Sequence, residues 1–573
     1  MGFAIYYGAN SNPDLIPDLD TLVNFDTVNG YLEDWRDVLP ASLQGILNDA
    51  ADSGSMRATT ESFSVGKYLK EERNLTYKYP IVMVPGVIST GIESWGLEGT
   101  PECPSEPHFR KRLWGSFYML RTMVLDKTCW LKHIMLDPET GLDPPGITLR
   151  AAQGFEASDF FMAGYWIWNK VLQNLAVIGY GPNNMVSASY DWRLSYLDLE
   201  RRDGYFSKLK LQIEMHKKIG GEKSVLFSHS MGSQVIFYFM QWVEAEGEHY
   251  GNGGSTWVND HIAAFVDISG SVLGTPKALV ALLSGEMKDT VLLNTLGVKG
   301  LEKFFSRRER VDMLKSFGGI ASMIPKGGDL IWGDMNGAPD DNIPFDVNYN
   351  NETFGKFISF KENIGIFSSK NLTMTDSIEF LLDQSPKWFK DRTLEHYSFG
   401  ISKNKDELIK NKKFFNKWAN PLEVPLPNAP DLKIYCIYGV GNPTERSYIY
   451  QEEQNKQVSK LNVSIAIDHT ENPVALSDGD GTISLLTHAM CHKWKEEGNN
   501  IYNPGNSKVT IVEIKHQPDR FDIRGGAKTA EHVDILGSSV LNELLLIIAA
   551  GKGDEIEDKY VSPLKDIVAN IDF

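Results

Sequence analysis

The sequence predicts an α/β fold, in which a mostly parallel sheet is covered by helices on both faces. Short apolar runs recur along the chain, and helical patterns over 204–219 and 233–246 lie between some of them. Alternation of this kind is typical of parallel strands that are buried on both sides. The predicted strands are 80–86, 185–188, 224–227, 262–269, 433–438 and 509–514.

Two parts of the chain depart from this alternation. Residues 1–75 are acidic and loosely patterned, and we interpret them as an N-terminal segment in front of one large domain, 76–573. The stretch from about 275 to 430 begins with a helical pattern over 277–317 and continues with many Asn, Asp, Gly and Pro residues. We expect this stretch to be an insertion that covers the sheet as a cap or lid.

The net charge argues against two kinds of partner. The 573 residues include 57 Lys and Arg against 75 Asp and Glu, which gives a net charge of −18. A surface of this sign repels phosphate backbones, so no nucleic-acid partner is expected. It also disfavours adsorption to anionic lipid through charge, so any contact with a membrane surface has to be apolar.

The strongest local motif is Ser228-His229-Ser230-Met231-Gly232, which directly follows one predicted strand and directly precedes a predicted helix. A strand, a tight turn and a helix in this order form a nucleophile elbow, which exposes the hydroxyl of the middle serine. The helix N-terminus behind Ser230 favours negative charge that develops there. The first position is usually Gly, and Ser228 is a small substitute that crowds the turn slightly. An ordinary turn with two surface serines is the alternative.

A nucleophilic serine needs an acid and a histidine base, which follow it along the chain in this class of fold. The Gly-rich turn 477–483 offers Asp478 and Asp480, with a solvated acidic turn as the alternative interpretation. His516 ends the last predicted strand, and His532 lies in the loop before the last helix. The residues alone leave both choices open.

Five motifs occur in an order that resembles the lecithin:cholesterol acyltransferase-like lipases. They are YDWR at 190–193, SHSMG at 228–232, YCIYGV at 435–440, GDGT at 479–482 and EHVD at 531–534. The runs 108–116 and 136–145 are similar in particular to the fungal phospholipid:diacylglycerol acyltransferase branch of this family. The resemblance extends from about residue 20 over nearly the whole chain and implies an α/β-hydrolase fold.

Carried over by position, the resemblance implies roles for individual residues. It implies Ser230 as the nucleophile, Asp480 as the acid and His532 as the base, and it disfavours Asp478 and His516.

The backbone N–H groups of Met231 and Val87 are then expected to form an oxyanion hole. No metal and no cofactor are expected.

The resemblance also implies two disulfides, Cys103–Cys129 and Cys436–Cys491, where a cytosolic protein would keep four free thiols. The first would close an apolar loop, 103–129. Apolar residues in this loop fall at steps of three and four, which predicts one helix face: Phe109, Leu113, Trp114, Phe117, Leu120, Met123 and Val124. This face either belongs to the core or contacts a membrane through Trp114, Phe117 and Leu113.

The implied activity is transfer of a fatty acyl group from a glycerophospholipid to diacylglycerol through an acyl-serine, which gives triacylglycerol and a lysophospholipid. A phospholipase A that hydrolyses the same acyl-serine is the alternative within the enzyme class. A non-catalytic lipid-binding protein on the same fold is the alternative outside it, and the presence of all three triad residues argues against it.

The resemblance further implies a membrane-associated protein of the endoplasmic reticulum lumen, because the family normally has an anchor, which we expect to be N-terminal and outside this chain. Four Asn-x-Ser/Thr sequons are candidates for glycosylation: Asn74, Asn351, Asn371 and Asn462.

Overall fold

The computed structural model describes most of the chain from residue 64 to residue 573. The residues outside the description are 1–63, 163–164, 287–301, 303, 342–352, 362–364, 455, 467–471, 520–521 and 523. Most of the predicted N-terminal segment, parts of the predicted insertion and the sequon at Asn351 therefore lie outside the described residues.

A six-stranded parallel sheet forms the centre of the fold. Its strands are β1 (Ile81–Val84), β2 (Met185–Ser187), β3 (Ser224–His229), β4 (Ile262–Ile268), β5 (Lys433–Val440) and β6 (Lys508–Lys515). They lie in the order β6-β5-β4-β3-β1-β2, and every neighbouring pair is parallel. Each strand end lies within two residues of its prediction. The predicted α/β class is confirmed.

The strands are buried on both faces because successive side chains enter opposite apolar layers. Val82 and Val84 of β1 pack in one cluster, and Ile81 and Met83 pack in the other. The first layer includes the helices Tyr205–Gly220 and Met231–Glu244, and the second includes Asn169–Val177 and Ser539–Ala549.

The other α-helices in the described residues are Ser64–Arg73, Phe117–Leu125, Lys127–Ile134, Tyr196–Asp203, Trp257–His261, Pro276–Ser284, Arg307–Ser316, Gly318–Ala321, Gly328–Trp332, Met374–Asp383, Lys387–His396, Lys405–Asn411, Lys456–Ser459, Ala489–Lys495 and Leu564–Ala569. Short strand pairs outside the larger sheets are Gly99–Thr100 with Cys103–Pro104, and Phe160–Met162 with Tyr165–Trp166.

A second sheet, of five strands, was not predicted. Its strands are Ile358–Phe360, Asn371–Leu372, Thr444–Glu452, Val463–Ile465 and Val474–Ser477. The longest strand reads TERSYIYQE, which carries too many polar residues to give an apolar run. Arg446 within it is fully buried and donates two hydrogen bonds of 2.8 Å to Asp340. This pair ties the segment between β4 and β5 to the second sheet.

The stripe predicted as one helix face over 109–124 is divided between a strand and a helix. Arg112–Trp114 pairs with Ile92–Ser94 as an antiparallel strand, and the helix begins only at Phe117. Ser116 caps this helix, because its hydroxyl accepts a hydrogen bond of 3.2 Å from the Met119 N–H. The cap fixes where the helix starts.

This division corrects the prediction of membrane contact for two of the three residues. Leu113 and Trp114 are only 0 % and 8 % exposed, and both belong to the hydrophobic core although neighbouring strand residues point to opposite faces. Phe117, on the helix, is 49 % exposed.

Both implied disulfides are present, and they account for all four cysteines. Cys103–Cys129 closes the loop at its base, and Cys436–Cys491 joins β5 to the helix Ala489–Lys495. In the described part of the chain, no helix is both long and apolar enough to cross a membrane.

Candidate active site

Ser230 occupies the sharp turn between β3 and the helix Met231–Glu244. Its backbone has φ 58° and ψ −125°, a conformation that residues other than glycine rarely adopt. Such strain persists only where the surrounding structure enforces it, and it is concentrated at functional sites. This is the backbone geometry that a nucleophile elbow requires.

Two glycines let the turn approach β1 closely. A Cβ atom at Gly232 would lie 2.4 Å from the carbonyl oxygen of Val84. A Cβ atom at Gly86 would lie 2.8 Å from the Cβ of Ser230. A larger residue at either position would therefore push the helix or the loop after β1 out of place.

Ser228, at the position where Gly is usual, fits beneath the turn because its hydroxyl has partners. Its Oγ donates to the Val266 carbonyl at 3.0 Å and lies 2.9 Å from Oγ of Ser233. Ser233 in turn donates to Oδ1 of Asp267 at 2.6 Å. Burial raises the pKa of Asp267 to about 6, although hydrogen bonds from Ser233 and Gly270 oppose the shift. The extra hydroxyl therefore joins a buried polar network.

His532 joins Ser230 to Asp480 through a chain of hydrogen bonds. Nε2 of His532 lies 2.9 Å from Oγ of Ser230, and Nδ1 lies 2.7 Å from Oδ2 of Asp480. A carboxylate only accepts hydrogen bonds, so Nδ1 carries the proton in that contact. Nε2 is then unprotonated and can accept the proton of the serine hydroxyl. The other carboxylate oxygen accepts the N–H groups of Thr482 and Ile483, at 2.9 and 2.7 Å.

The charges of His532 and Asp480 depend on the contact between these two groups inside the protein. Burial by itself would lower the pKa of His532, but the charge of Asp480 and its hydrogen bond outweigh burial and raise it. For Asp480, burial alone would raise the pKa, but the contact with His532 and the two backbone N–H groups lower it. The arrangement therefore favours an ionised carboxylate that stabilises an imidazolium.

The two alternative candidates have structural partners instead. Asp478 accepts the N–H groups of Gly441 and Gly479 at 2.6 and 2.7 Å, which holds its turn. Nδ1 of His516 accepts the Ala530 N–H at 3.1 Å. The structure brings Asp480 and His532 to Ser230 and leaves Asp478 and His516 in these other contacts.

His229, the residue before the serine, has a positioning contact that the sequence analysis missed. Its Nε2–H donates to the backbone carbonyl of His532 at 2.7 Å, and the two rings lie 4.8 Å apart. Burial, together with His532, lowers its pKa to about 3, so the ring is neutral. His229 therefore ties the turn to the loop that carries His532. Its position within the SHSMG motif, next to Ser230, is the sequence feature that could have indicated this role.

The two residues predicted to form the oxyanion hole lie at the start of the helix after Ser230 and in the turn after β1. Met231 is the first residue of its helix, where the N–H has no partner within the helix. Val87 follows Gly86 in the turn after β1, in which the Ser89 N–H donates to the Gly86 carbonyl at 3.3 Å. The Trp114 indole N–H donates to the carbonyl of Ile88, next to Val87, at 2.9 Å and braces this turn.

The helix Phe117–Leu125 presents an apolar face to solvent. Phe117, Val124 and Leu125 are 49 %, 58 % and 47 % exposed. Arg121 is exposed on the same helix.

The three candidate glycosylation sites in the described part of the chain, Asn74, Asn371 and Asn462, are also exposed.

Known proteins are similar to this chain over most of its length. A family model described as lecithin:cholesterol acyltransferase matches residues 108–539. The chain is 59 % identical to phospholipid:diacylglycerol acyltransferase of Saccharomyces cerevisiae, over 100 % of this chain and 86 % of that protein. It is 48 % identical to the protein of the same name in Schizosaccharomyces pombe, over 99 % of this chain and 88 % of that one. Phospholipid:diacylglycerol acyltransferase 1 of Arabidopsis thaliana is 33 % identical, over 86 % and 83 %. With its parallel sheet, its elbow and these matches, the chain belongs to the lecithin:cholesterol acyltransferase family, which has an α/β-hydrolase-like fold.

Proposed function

We propose that this protein is an acyltransferase that moves a fatty acyl group from a glycerophospholipid to diacylglycerol, giving triacylglycerol and a lysophospholipid. The full-length similarity to relatives of that name supports the substrates. The hydrogen-bond chain from Ser230 through His532 to Asp480, at 2.9 and 2.7 Å, is the single observation that carries the chemistry.

In the first half of the reaction, Nε2 of His532 takes the hydroxyl proton of Ser230 as the oxygen attacks an ester carbonyl of the phospholipid. Asp480 holds the ring and stabilises the imidazolium. The N–H groups of Met231 and Val87 bind the oxyanion, and each such donor contributes about 3 to 4 kcal/mol in comparable sites. The imidazolium then protonates the departing lysophospholipid oxygen, and an acyl-serine remains.

In the second half, the free hydroxyl of diacylglycerol attacks the acyl-serine while His532 removes its proton. The bond between Ser230 and the acyl group then breaks, and His532 returns the proton to the serine oxygen. The triad alone does not distinguish this alcohol from water, and attack by water would make the protein a phospholipase A. The predicted insertion, from about residue 275 to 430 between β4 and β5, is the candidate cap that excludes water. The names of the full-length relatives favour the transferase over the hydrolase.

The protein meets its lipid substrates at a membrane surface through the helix Phe117–Leu125. Three exposed apolar side chains support this contact, as does Arg121, whose charge can reach head groups from the same helix. The two disulfides support an oxidising compartment, in agreement with a lumenal location.

The test supplies phospholipid labelled in its acyl chain together with diacylglycerol. We expect label in triacylglycerol from the wild-type protein and none from Ser230→Ala, which also stops reacting with a fluorophosphonate probe. Ser228→Ala is the matched control, and we expect it to keep most activity because its hydroxyl lies in the buried network. Label that accumulates only as free fatty acid would show a phospholipase instead. Full activity of Ser230→Ala would refute the mechanism.

A further inference from the structure

An open cavity of about 400 Å³ lies beside the disulfide-closed loop, and no member of the proposed triad lines it. We call it the loop pocket. One wall is the turn that leads into the helix Phe117–Leu125, and the other is the segment 156–162. Its charged lining residues are Arg112, Glu156 and Asp159, and its aromatic ones are Phe117, Phe160 and Phe161.

The balance of charge in the loop pocket is negative. Nη1 of Arg112 donates to the Glu156 carbonyl at 3.1 Å, and its Nε lies 3.4 Å from a carboxylate oxygen of Glu93, which is not part of the lining. The lining therefore carries two carboxylates, Glu156 and Asp159, against one guanidinium, whose described charged partner is Glu93.

Asp159 in particular lacks a counter-charge within the described residues. Its Oδ1 is buried there without a hydrogen-bond partner. Burial raises its pKa to about 6. The charge of Glu156 also raises the pKa, and a hydrogen bond with Asn169 lowers it. A cation near this carboxyl would reverse that shift.

The aromatic lining indicates which kind of cation fits. Ammonium groups bind over the faces of aromatic rings, and quaternary ammonium ligands are recognised by clusters of such rings. Three phenylalanine rings together with two carboxylates provide this chemistry. A small metal ion would instead require several convergent oxygen ligands, which rings do not supply.

The position of the pocket indicates where such a cation would come from. Phe117 lines the pocket and also belongs to the exposed face that we propose for membrane contact. On the inner side, Phe161 packs on Trp114 with ring centres 5.6 Å apart, and Trp114 hydrogen-bonds to the carbonyl of Ile88 beside Val87. The pocket therefore lies between the proposed membrane face and the candidate oxyanion turn.

We propose that the loop pocket binds the ammonium group of a zwitterionic phospholipid donor, one whose head group is choline or ethanolamine. This inference rests on the proposed function, because it concerns the donor of that reaction. The pocket selects among donors by head group, while the ester carbonyl of the same phospholipid reacts at Ser230.

The experiment compares phosphatidylcholine and phosphatidylglycerol with identical acyl chains, each dispersed in the same neutral detergent. Release of lysophospholipid is measured, because it reports use of the donor whatever the acceptor. We expect Asp159→Asn combined with Glu156→Gln to reduce the ratio of phosphatidylcholine to phosphatidylglycerol turnover about tenfold, as for loss of one ionic contact. Glu557→Gln combined with Asp566→Asn, which also removes two carboxylates, both exposed, is the matched control and leaves the ratio unchanged.

Further outcomes separate this inference from the proposed function. An unchanged ratio in the double variant, or an equal loss on both donors, would overturn the pocket assignment. A wild-type protein that releases lysophospholipid but forms only free fatty acid would refute the transferase and leave the ratio test valid. A wild-type protein inactive on both donors would refute both. A variant with Asp159→Glu in place of Asp159→Asn provides the rescue. It keeps a carboxylate at this position and should recover most of the wild-type ratio.

Discussion

The exposed face of the helix Phe117–Leu125 allows a quantitative test of membrane contact. The change is a triple substitution, Phe117→Ser with Val124→Ser and Leu125→Ser. These side chains are 49 %, 58 % and 47 % exposed, so about half of each is already buried in the protein.

The magnitude follows from this remaining exposure. Full burial of a large apolar side chain contributes roughly 2 kcal/mol, so insertion of the exposed half contributes about 1 kcal/mol for each residue. If the three contributions add, the total of about 3 kcal/mol corresponds to about two orders of magnitude in the membrane partition constant. The net charge of −18 opposes any compensating attraction to anionic lipid.

The assay is flotation with neutral liposomes, together with turnover of a soluble short-chain ester on the same preparation. We expect the triple variant to lose flotation and to keep ester turnover. The matched control is Leu211→Ser with Met215→Ser and Ile219→Ser, which removes apolar side chains that are 64 %, 45 % and 80 % exposed on the helix Tyr205–Gly220. Undiminished flotation of the first variant, or an equal loss in the control, would refute the reasoning.

Trp114 provides the contrasting case, because it belongs to the same loop but is buried. Its ring packs against Trp192 and Phe161, with centres 5.2 and 5.6 Å away, and its indole N–H is bonded to Ile88. Trp114→Ala should cost about 3 to 5 kcal/mol of folding stability. We expect it to lose flotation and ester turnover together and to unfold at lower temperature, whereas the triple variant keeps its Tm.

Three further predictions concern the site. His532→Ala should lower ester turnover by several orders of magnitude, while His516→Ala costs far less because the described hydrogen bond of that ring is to a backbone N–H; a larger loss in His516→Ala would reverse the assignment of the base. Because Asp480 outweighs burial in raising the pKa of His532, kcat/KM for the ester should fall as pH decreases, with a midpoint above 6.5; a midpoint below 6.5 would contradict this. Gly232→Ala, whose Cβ would meet a carbonyl at 2.4 Å, should lower the free energy of unfolding by about 1 to 3 kcal/mol. Gly220→Ala, with nothing within 4 Å, is its control in the same thermal melt.

The central sheet was predictable because its strands are buried on both faces. Such strands are continuous apolar runs, which stand out in the sequence between polar segments. The second sheet was not, because the strand Thr444–Glu452 has polar residues at both ends, with only Tyr-Ile-Tyr between them, and buries Arg446 through its pairing with Asp340. That partner is 106 positions away, so no local pattern reports it.

The loop 103–129 shows the opposite limit, in which a local pattern was present but ambiguous. Spacings of three and four predicted one helix through Leu113 and Phe117, but the Ser116 cap starts the helix after the strand. The residue types alone left Asp478 and Asp480 as candidates for the acid, and His516 and His532 as candidates for the base. The distances to Ser230 depend on how the loops after β5 and β6 meet, which is a property of the sheet order and is not visible in the chain.

The order of the strands has a consequence for the newly made chain. β2, β1, β3 and β4 are contiguous in the sheet and are all synthesised before residue 270, so the turn with Ser230 can form early. Asp480 and His532 join it only after β5 and β6 have been added at one edge, and His532 is 302 residues beyond the serine. While the ribosome is still adding that remainder, the serine has neither its base nor the ring's anchor. We therefore expect no acyl transfer from the nascent polypeptide until His532 has been translated and has reached Ser230.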